Sequence, residues 1–336
     1  MGKKKEIEKT PLGKIVRTLL HIPEVLPSLV QIEITNICNL DCPMCIRNFV
    51  DLPREHMDFD LFKQVIDQLD GVNSVNLTGY GEPLTHPDII PCIKYCEERN
   101  LETLLTSNGL LLGKKGVDEA LISSGLDSIS FSLESVKNDS DVGHDNEQAL
   151  SKIKNFINLR KSLGSPTPSI TIQTLMIKGK EQDLFDVIEW SAESGADRVN
   201  VARFDLNTLE SVERPNREEE KIIFKRFAQY RKKYSIDIAC FQDVMFPGFK
   251  GVLYKYGKHL MGLDRDCIRT KDFLFINVHG HIRPCCALVD HHMGSVIERG
   301  LAPIWNSPEY GEFRANYKKI PWCSKCDVFC LKQADQ

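Results

Sequence analysis

Three cysteines within one short stretch, Cys38-Asn39-Leu40-Asp41-Cys42-Pro43-Met44-Cys45, constrain this chain more than any other feature. They follow directly on Leu29-Val30-Gln31-Ile32-Glu33-Ile34-Thr35, whose apolar alternation reads as a strand feeding a loop. Thiolates so close in sequence can converge on one iron–sulfur cluster, because such clusters are held by cysteine sulfur. Three local ligands on a four-iron cube leave one iron open, and an open position separates a catalytic metal from a structural one. The competing reading puts positions i, i+4 and i+7 on one face of a buried helix, with cysteine as a small hydrophobe. Pro43 would then sit inside that helix, and Asn36, Asn39 and Asp41 are loop formers, so the cluster loop is preferred.

A CxxxCxxC loop after a first strand resembles the signature of radical S-adenosylmethionine enzymes. The resemblance implies that Cys38, Cys42 and Cys45 hold a 4Fe-4S cluster whose free iron binds the amino and carboxylate groups of S-adenosyl-L-methionine. It also implies that the reduced cluster cleaves the sulfonium to a 5′-deoxyadenosyl radical, chemistry that belongs to the cofactor. Met44 stands where the family often has an aromatic residue, and its thioether can still pack against an adenine ring.

The 336 residues suffice for one large α/β domain and a small appendage. A net charge of −4 gives no support for a nucleic-acid-binding surface. Twelve cysteines, with no apolar signal core in Met1-Gly2-Lys3-Lys4-Lys5-Glu6, point to metal in a reducing compartment rather than to disulfides. No apolar run approaches the roughly 20 residues of a membrane helix. The expectation is a cytoplasmic protein that engages neither nucleic acid nor membrane.

After a polar, mildly amphipathic segment at 1–28, strands predicted near 29–35, 75–78, 101–105, 128–133, 170–177 and 198–204 alternate with helices. That rhythm argues for parallel βαβ units. Six strands are too few for a closed eight-stranded barrel, so a partial (β/α)6 TIM-type barrel over 29–235 is predicted. Ligands of such folds bind at the carboxyl ends of strands. There Gly79-Tyr80-Gly81-Glu82-Pro83 resembles the family's GGEP motif with tyrosine for its first glycine. The resemblance assigns Gly79, Tyr80, Gly81 and Glu82 to the methionine ammonium, and Ser107, Asn108, Ser132 and Glu134 to ribose and carboxylate. Met176 is a candidate adenine wall, with core packing as the other reading, and Arg203 and Asp205 either face the substrate or form a salt bridge. Residues 236–266 are predicted to be a linker or substrate-covering segment.

A second cysteine set closes the chain over 267–336: Cys267, then Gly280-His281-Ile282-Arg283-Pro284-Cys285, then Cys323-Ser324-Lys325-Cys326. His279-Gly280 marks a hairpin that would carry Cys285 back towards Cys267. The pattern resembles the SPASM/twitch extension of radical enzymes, and the cysteines run out at Cys330, which favours the shorter twitch form. The resemblance implies one auxiliary 4Fe-4S cluster on Cys267, Cys285, Cys323 and Cys326, with Cys286 or Cys330 as alternative ligands. A structural zinc site is the alternative, since CxxC pairs suit tetrahedral zinc. Cys330 is also a candidate thiol hydrogen donor. Cys92, Cys96 and Cys240 read as packing, and His279, His281, His291 and His292 as solvent-facing loop residues.

These features lead to a radical S-adenosylmethionine oxidoreductase supplied with electrons by a flavodoxin or ferredoxin. The expected substrate is a small molecule of sugar or aminocyclitol type, undergoing dehydrogenation or epimerisation. The alternatives are maturation of a ribosomal peptide or protein and, in another class, a non-catalytic iron–sulfur carrier or zinc-stabilised interaction protein.

Overall fold

The computed structural model describes residues 26–49, 52–114, 116–137, 146–204, 212–240, 243, 267, 269–326 and 328. Seven parallel strands run in sequence order: β1 (Leu29–Ile32), β2 (Ser74–Asn76), β3 (Glu102–Ser107), β4 (Ser128–Ser132), β5 (Ser169–Met176), β6 (Arg198–Arg203) and β7 (Asp237–Cys240). Helices α1 (Phe59–Ile66), α2 (Ile89–Glu98), α3 (Val117–Ile122), α4 (Asn146–Ser162), α5 (Glu181–Ser194) and α6 (Arg217–Tyr234) fill the crossovers. β7 lies inside the segment read as a linker. Only Ile238 of its four residues is buried and it pairs solely with β6, so nothing in Asp237-Ile238-Ala239-Cys240 advertises a strand.

The carboxyl-terminal region belongs to the same sheet. β8 (Phe273–Ile276) lies parallel to β1 on its free side, and β9 (His281–Arg283) and β10 (Gly294–Ser295) extend it antiparallel. The resulting order, β10-β9-β8-β1-β2-β3-β4-β5-β6-β7, leaves β7 and β10 as edges. Every residue of β8 is buried, as a strand covered on both faces requires. The His279-Gly280 hairpin forms as expected, with Gly280 at φ 76°.

Alternation along the strands sorts residues into two faces. One packs on the helices: Phe131 meets Phe156 of α4 at 5.9 Å, and register places Ser107, Ile172, Val199 and Met176 on that side. The opposite face carries Gln31, Asn76, Thr106, Ser130, Gln173 and Asn200. Local signals agree with the elements. Asn216 caps α6 by accepting from Glu218 N–H and Glu219 N–H while Glu219 reaches back to Asn216 N–H, a complete capping box.

Arg203 and Glu220 form a bidentate pair between β6 and α6, with Nε–Oε1 2.7 Å and Nη2–Oε2 2.6 Å and side chains 1% and 3% exposed. Of the two readings of Arg203, the salt bridge holds: the side chain is on the helix face. Asp205 lies outside the described residues. Arg203→Met leaves Glu220 buried without its cation and is expected to destabilise the fold by about 3–5 kcal/mol, read from urea unfolding. A change within about 0.5 kcal/mol would contradict the assignment.

Candidate active site

The cysteine loop is held open by backbone pairing with the glycine-rich turn beside it. Gly81 N–H donates to Thr35 O (3.1 Å) and Glu82 N–H to Ile37 O (2.9 Å), so residues 81–82 run alongside the chain that enters the loop. A Cβ on Gly81 would stand 2.4 Å from Ile37 O, which is why this position has no side chain. Asn36 fixes the opposite wall, donating to Pro53 O and accepting from Glu55 N–H, each at 2.6 Å. Within the loop, Leu40 N–H donates to Cys38 Sγ (3.4 Å), Cys45 N–H to Cys42 O (3.0 Å) and Asn48 Nδ2 to Cys42 O (2.8 Å). A 3₁₀ turn at Ile46–Phe49 then closes it, with Arg47 folded back over Leu40 and Asp41.

Burial, followed by the neighbouring Cys45 and Cys38, pushes the Cys42 thiol up to about 11, and burial likewise raises Cys38. The three sulfurs therefore sense one another. Binding iron as thiolates reverses that penalty. Arg47 is enclosed beside them with Nε and Nη1 buried and unpaired, as suits a loop built to surround an anionic group. Among the described residues no three such side chains meet at one ion-sized point. A cube spreads its ligands over separate irons and needs converging loops instead. The residues fit a cluster.

The predicted cofactor contacts divide. Asn108 lies at the loop, its Nδ2 donating to Asn39 Oδ1 at 2.9 Å, and Ser132 is half-buried on the open face of the sheet. Met44 is half-buried in the cysteine loop. Gly79 is hemmed in by Glu33, whose Cγ would meet an added Cβ at 2.3 Å. Four expectations need correction. Met176 faces the helices and is 1% exposed, so it is core and not an adenine wall. Ser107 faces the same way, its hydroxyl accepting from Gly109 N–H within a turn. Glu82 is 3% exposed, and its carboxylate accepts from Asn108 N–H (2.7 Å) and Leu84 N–H (3.1 Å). It staples two strand ends together instead of offering an oxygen to an ammonium. The Tyr80 ring turns away from the cysteine loop: its hydroxyl donates to Cys286 O and accepts from Arg283 Nη1 at 3.3 Å. Glu134 accepts from Leu175 N–H (2.9 Å), which burial and strand-end position favour.

The second set gathers partly around Arg269. Its Nη1 lies 3.0 Å from Cys286 Sγ and 3.6 Å from Cys285 Sγ, and Thr270 Oγ1 donates to Cys267 O at 2.8 Å. A hydrogen bond from the Cys286 thiol, with help from the guanidinium, brings Cys285 down to about 7 against its burial. Cys267 N–H donates to Tyr317 Oη (3.0 Å), just ahead of the short helix Pro321–Lys325 that carries Cys323 and leads to Cys326. None of the described cysteines forms a disulfide, and Cys330 lies outside the described residues. Cys92 and Cys96 are core, as expected. Sequence reasoning missed Glu33, Arg47 and Arg269; the signal for the two arginines is a Cys-Ile-Arg triplet in each set.

A mostly parallel sheet with a three-cysteine loop after its first strand, a glycine-rich turn after its second and more cysteines at its carboxyl-terminal edge defines an iron–sulfur enzyme with two cysteine sites. The chain belongs to the radical SAM superfamily, whose family model matches residues 32–203, and the SPASM iron–sulfur cluster-binding domain matches residues 267–327. It therefore uses S-adenosyl-L-methionine and 4Fe-4S chemistry. It is 24% identical over 323 residues to the tungsten-containing aldehyde ferredoxin oxidoreductase cofactor-modifying protein of Pyrococcus furiosus, covering 88% of this chain and 86% of that one. It is 24% identical over 318 residues to the PqqA peptide cyclase of Gluconobacter oxydans, covering 90% and 83%. The crystal structure of Streptococcus suis SuiB bound to S-adenosylmethionine shares the fold at a TM-score of 0.72 and 19% identity, covering 96% of this chain and 76% of that one. No described helix is long and apolar enough to cross a membrane.

Two predictions follow from this geometry. Gly81→Ala must displace the backbone entering the cysteine loop and is expected to weaken S-adenosylmethionine binding roughly tenfold or more while auxiliary iron is retained. Unchanged affinity by equilibrium dialysis would contradict the pairing. Burial pushes the Glu134 carboxyl up from 4.5 to about 7. The native state thus holds a proton that the unfolded chain has lost, so this stability is full below about pH 4.5 and disappears as pH rises through about 7. Between about pH 5 and about pH 8 the wild type should lose melting temperature relative to Glu134→Gln. Parallel pH profiles would contradict the assignment.

Proposed function

We propose that this chain is a radical S-adenosylmethionine maturase that modifies a ribosomally made peptide or protein. The observation that carries the reading is the open face of the sheet, where the half-buried amides and hydroxyls of Asn76, Thr106, Ser130, Gln173 and Asn200 stand among the apolar side chains of Leu104, Leu175 and Ala202. Such groups match the alternating donors and acceptors of an extended peptide. Of the two described arginines on this face, Arg198 sits at its far end, paired with Asp237 at 2.6 Å, and Arg283 is buried at the carboxyl-terminal side, donating to Tyr80 Oη at 3.3 Å. Among the described residues β7 forms an edge of the sheet, where an extended chain could pair. Further support comes from relatives named as a peptide cyclase and a cofactor-modifying protein, and from SuiB, which is known bound to its precursor peptide SuiA. This reading replaces the small-molecule substrate expected from the sequence.

Bound at Cys38, Cys42 and Cys45, a 4Fe-4S cluster supplies the electron that cleaves S-adenosylmethionine to a hydrogen-abstracting radical. The chain's own part is positional. Gly81 lets the backbone of the neighbouring turn close on the loop, Glu82 fixes the ends of β2 and β3, and Asn108 braces Asn39. In the second set Cys285 and Cys286 both lie against the Arg269 guanidinium, and Cys285 is the one that stands in the GxxxxC spacing. This favours one closed auxiliary cluster on Cys267, Cys285, Cys323 and Cys326, an electron acceptor from an oxidised substrate.

Co-expression with each short peptide or protein encoded by the genes next to its own tests the reading. The expected outcome is one peptide product whose mass changes only in the presence of the wild-type chain, matched in vitro by 5′-deoxyadenosine. Turnover of a free sugar or aminocyclitol, with every neighbouring peptide unchanged, would overturn it.

A further inference from the structure

The chain uses one triplet twice beside its cysteine sites: Cys45-Ile46-Arg47 ends the first set and Cys267-Ile268-Arg269 opens the second. In the second copy the guanidinium lies against sulfur, with Arg269 Nη1 3.0 Å from Cys286 Sγ and 3.6 Å from Cys285 Sγ. In the first copy the Arg47 side chain is 8% exposed. Its Nη2 is anchored, donating to Leu40 O and to Asp41 Oδ1 at 3.2 Å. Leu40 lies between Cys38 and Cys42 in the chain, so this anchor draws the guanidinium across the loop that the three cysteines define. Asp41 is 79% exposed, so the ion pair neutralises little of the charge. Nε and Nη1 remain buried without a hydrogen-bond partner. An unpaired buried donor costs about 1–3 kcal/mol, and more on a charged group, so the position asks for an anionic acceptor.

We propose that Arg47 is a potential-setting residue of the first cluster, one of its free buried donors, Nε or Nη1, donating to the sulfur of the group held by Cys38, Cys42 and Cys45. A cluster with thiolate ligands is negatively charged and gains one more negative charge on reduction. Hydrogen bonds to its sulfurs and nearby charge are the levers that set its reduction potential. A buried guanidinium, permanently charged, favours the reduced form that reacts with S-adenosylmethionine. The same guanidinium opposes burial at the Cys38 and Cys42 thiols. With Nη2 fixed on Leu40 O, the guanidinium plane is set and the remaining donors stay within it. The inference rests on family membership and the loop geometry, and is independent of what substrate the enzyme modifies.

The test is a redox titration of the reconstituted full-length chain, followed by electron paramagnetic resonance without S-adenosylmethionine, comparing wild type with Arg47→Met and Arg47→Lys. With iron and sulfide content equal to wild type, Arg47→Met is expected to lower the ratio of reduced to oxidised first cluster about tenfold at a fixed potential, equivalent to about 59 mV for one electron. The auxiliary signal should not move. Arg47→Lys keeps the charge but gives up the fork, and should fall between the two. A fully loaded Arg47→Met with the wild-type midpoint would overturn the proposal. So would an unmoved midpoint combined with weakened S-adenosylmethionine binding, which would assign the guanidinium to the carboxylate of that cofactor instead. If the methionine variant does not retain iron, the lysine variant decides: a wild-type midpoint there overturns the proposal equally.

Discussion

The Glu33 carboxylate joins the parts of the molecule that must act together. One oxygen accepts from Tyr80 N–H at 3.0 Å, in the glycine-rich turn after β2, and the other from Val278 N–H at 3.4 Å, in the turn after β8. Its own N–H donates to Ile276 O at 2.8 Å, so the residue that follows β1 is tied on both sides. The group is 1% exposed, and burial pushes its carboxyl up to about 7 in spite of the two amide donors. Such a group is costly to bury, and here it substitutes for sheet pairing where strands end and loops begin.

Around that anchor sits a small second core that belongs to both cysteine sites. Tyr80, Phe273 and Phe275 are its buried members, and Ile46 of the first set and Cys286 of the second pack against it. The Tyr80 and Phe275 rings lie 5.7 Å apart. Tyrosine at the place of the family's glycine thus has a physical use. Its N–H serves the cofactor side through Glu33 while its hydroxyl reaches the Cys286 carbonyl. The two cysteine regions border one sheet and share one packing cluster.

Much of this was legible in the sequence where chemistry and spacing coincide. The cysteine sets, the βα alternation, the hairpin at Gly280 and the close approach at Gly81 each carry a local signal. What escaped depends on partners distant in the chain or on which face a residue takes. Met176, Ser107 and Arg203 stand at strand ends, where ligand contacts were sought, yet the period of two turns them to the helices. Glu82 reads as an open carboxylate until Asn108 N–H, contributed by the end of β3, arrives against it. β7 was invisible because an edge strand with one buried residue has no apolar pattern; β8 was legible as a hairpin strand, but its pairing with β1, which spans most of the chain, was not.

The central claim is that the loop at Cys38, Cys42 and Cys45 carries a cluster that opens S-adenosylmethionine to radical chemistry. The most direct measurement is 5′-deoxyadenosine, quantified by chromatography after anaerobic reconstitution with iron and sulfide and reduction by dithionite. The wild type should form it from S-adenosylmethionine, and a Cys38→Ala/Cys42→Ala/Cys45→Ala variant that keeps its auxiliary iron should form none. Equal yields from the two proteins, or none from a fully iron-loaded wild type given its substrate, would contradict the account.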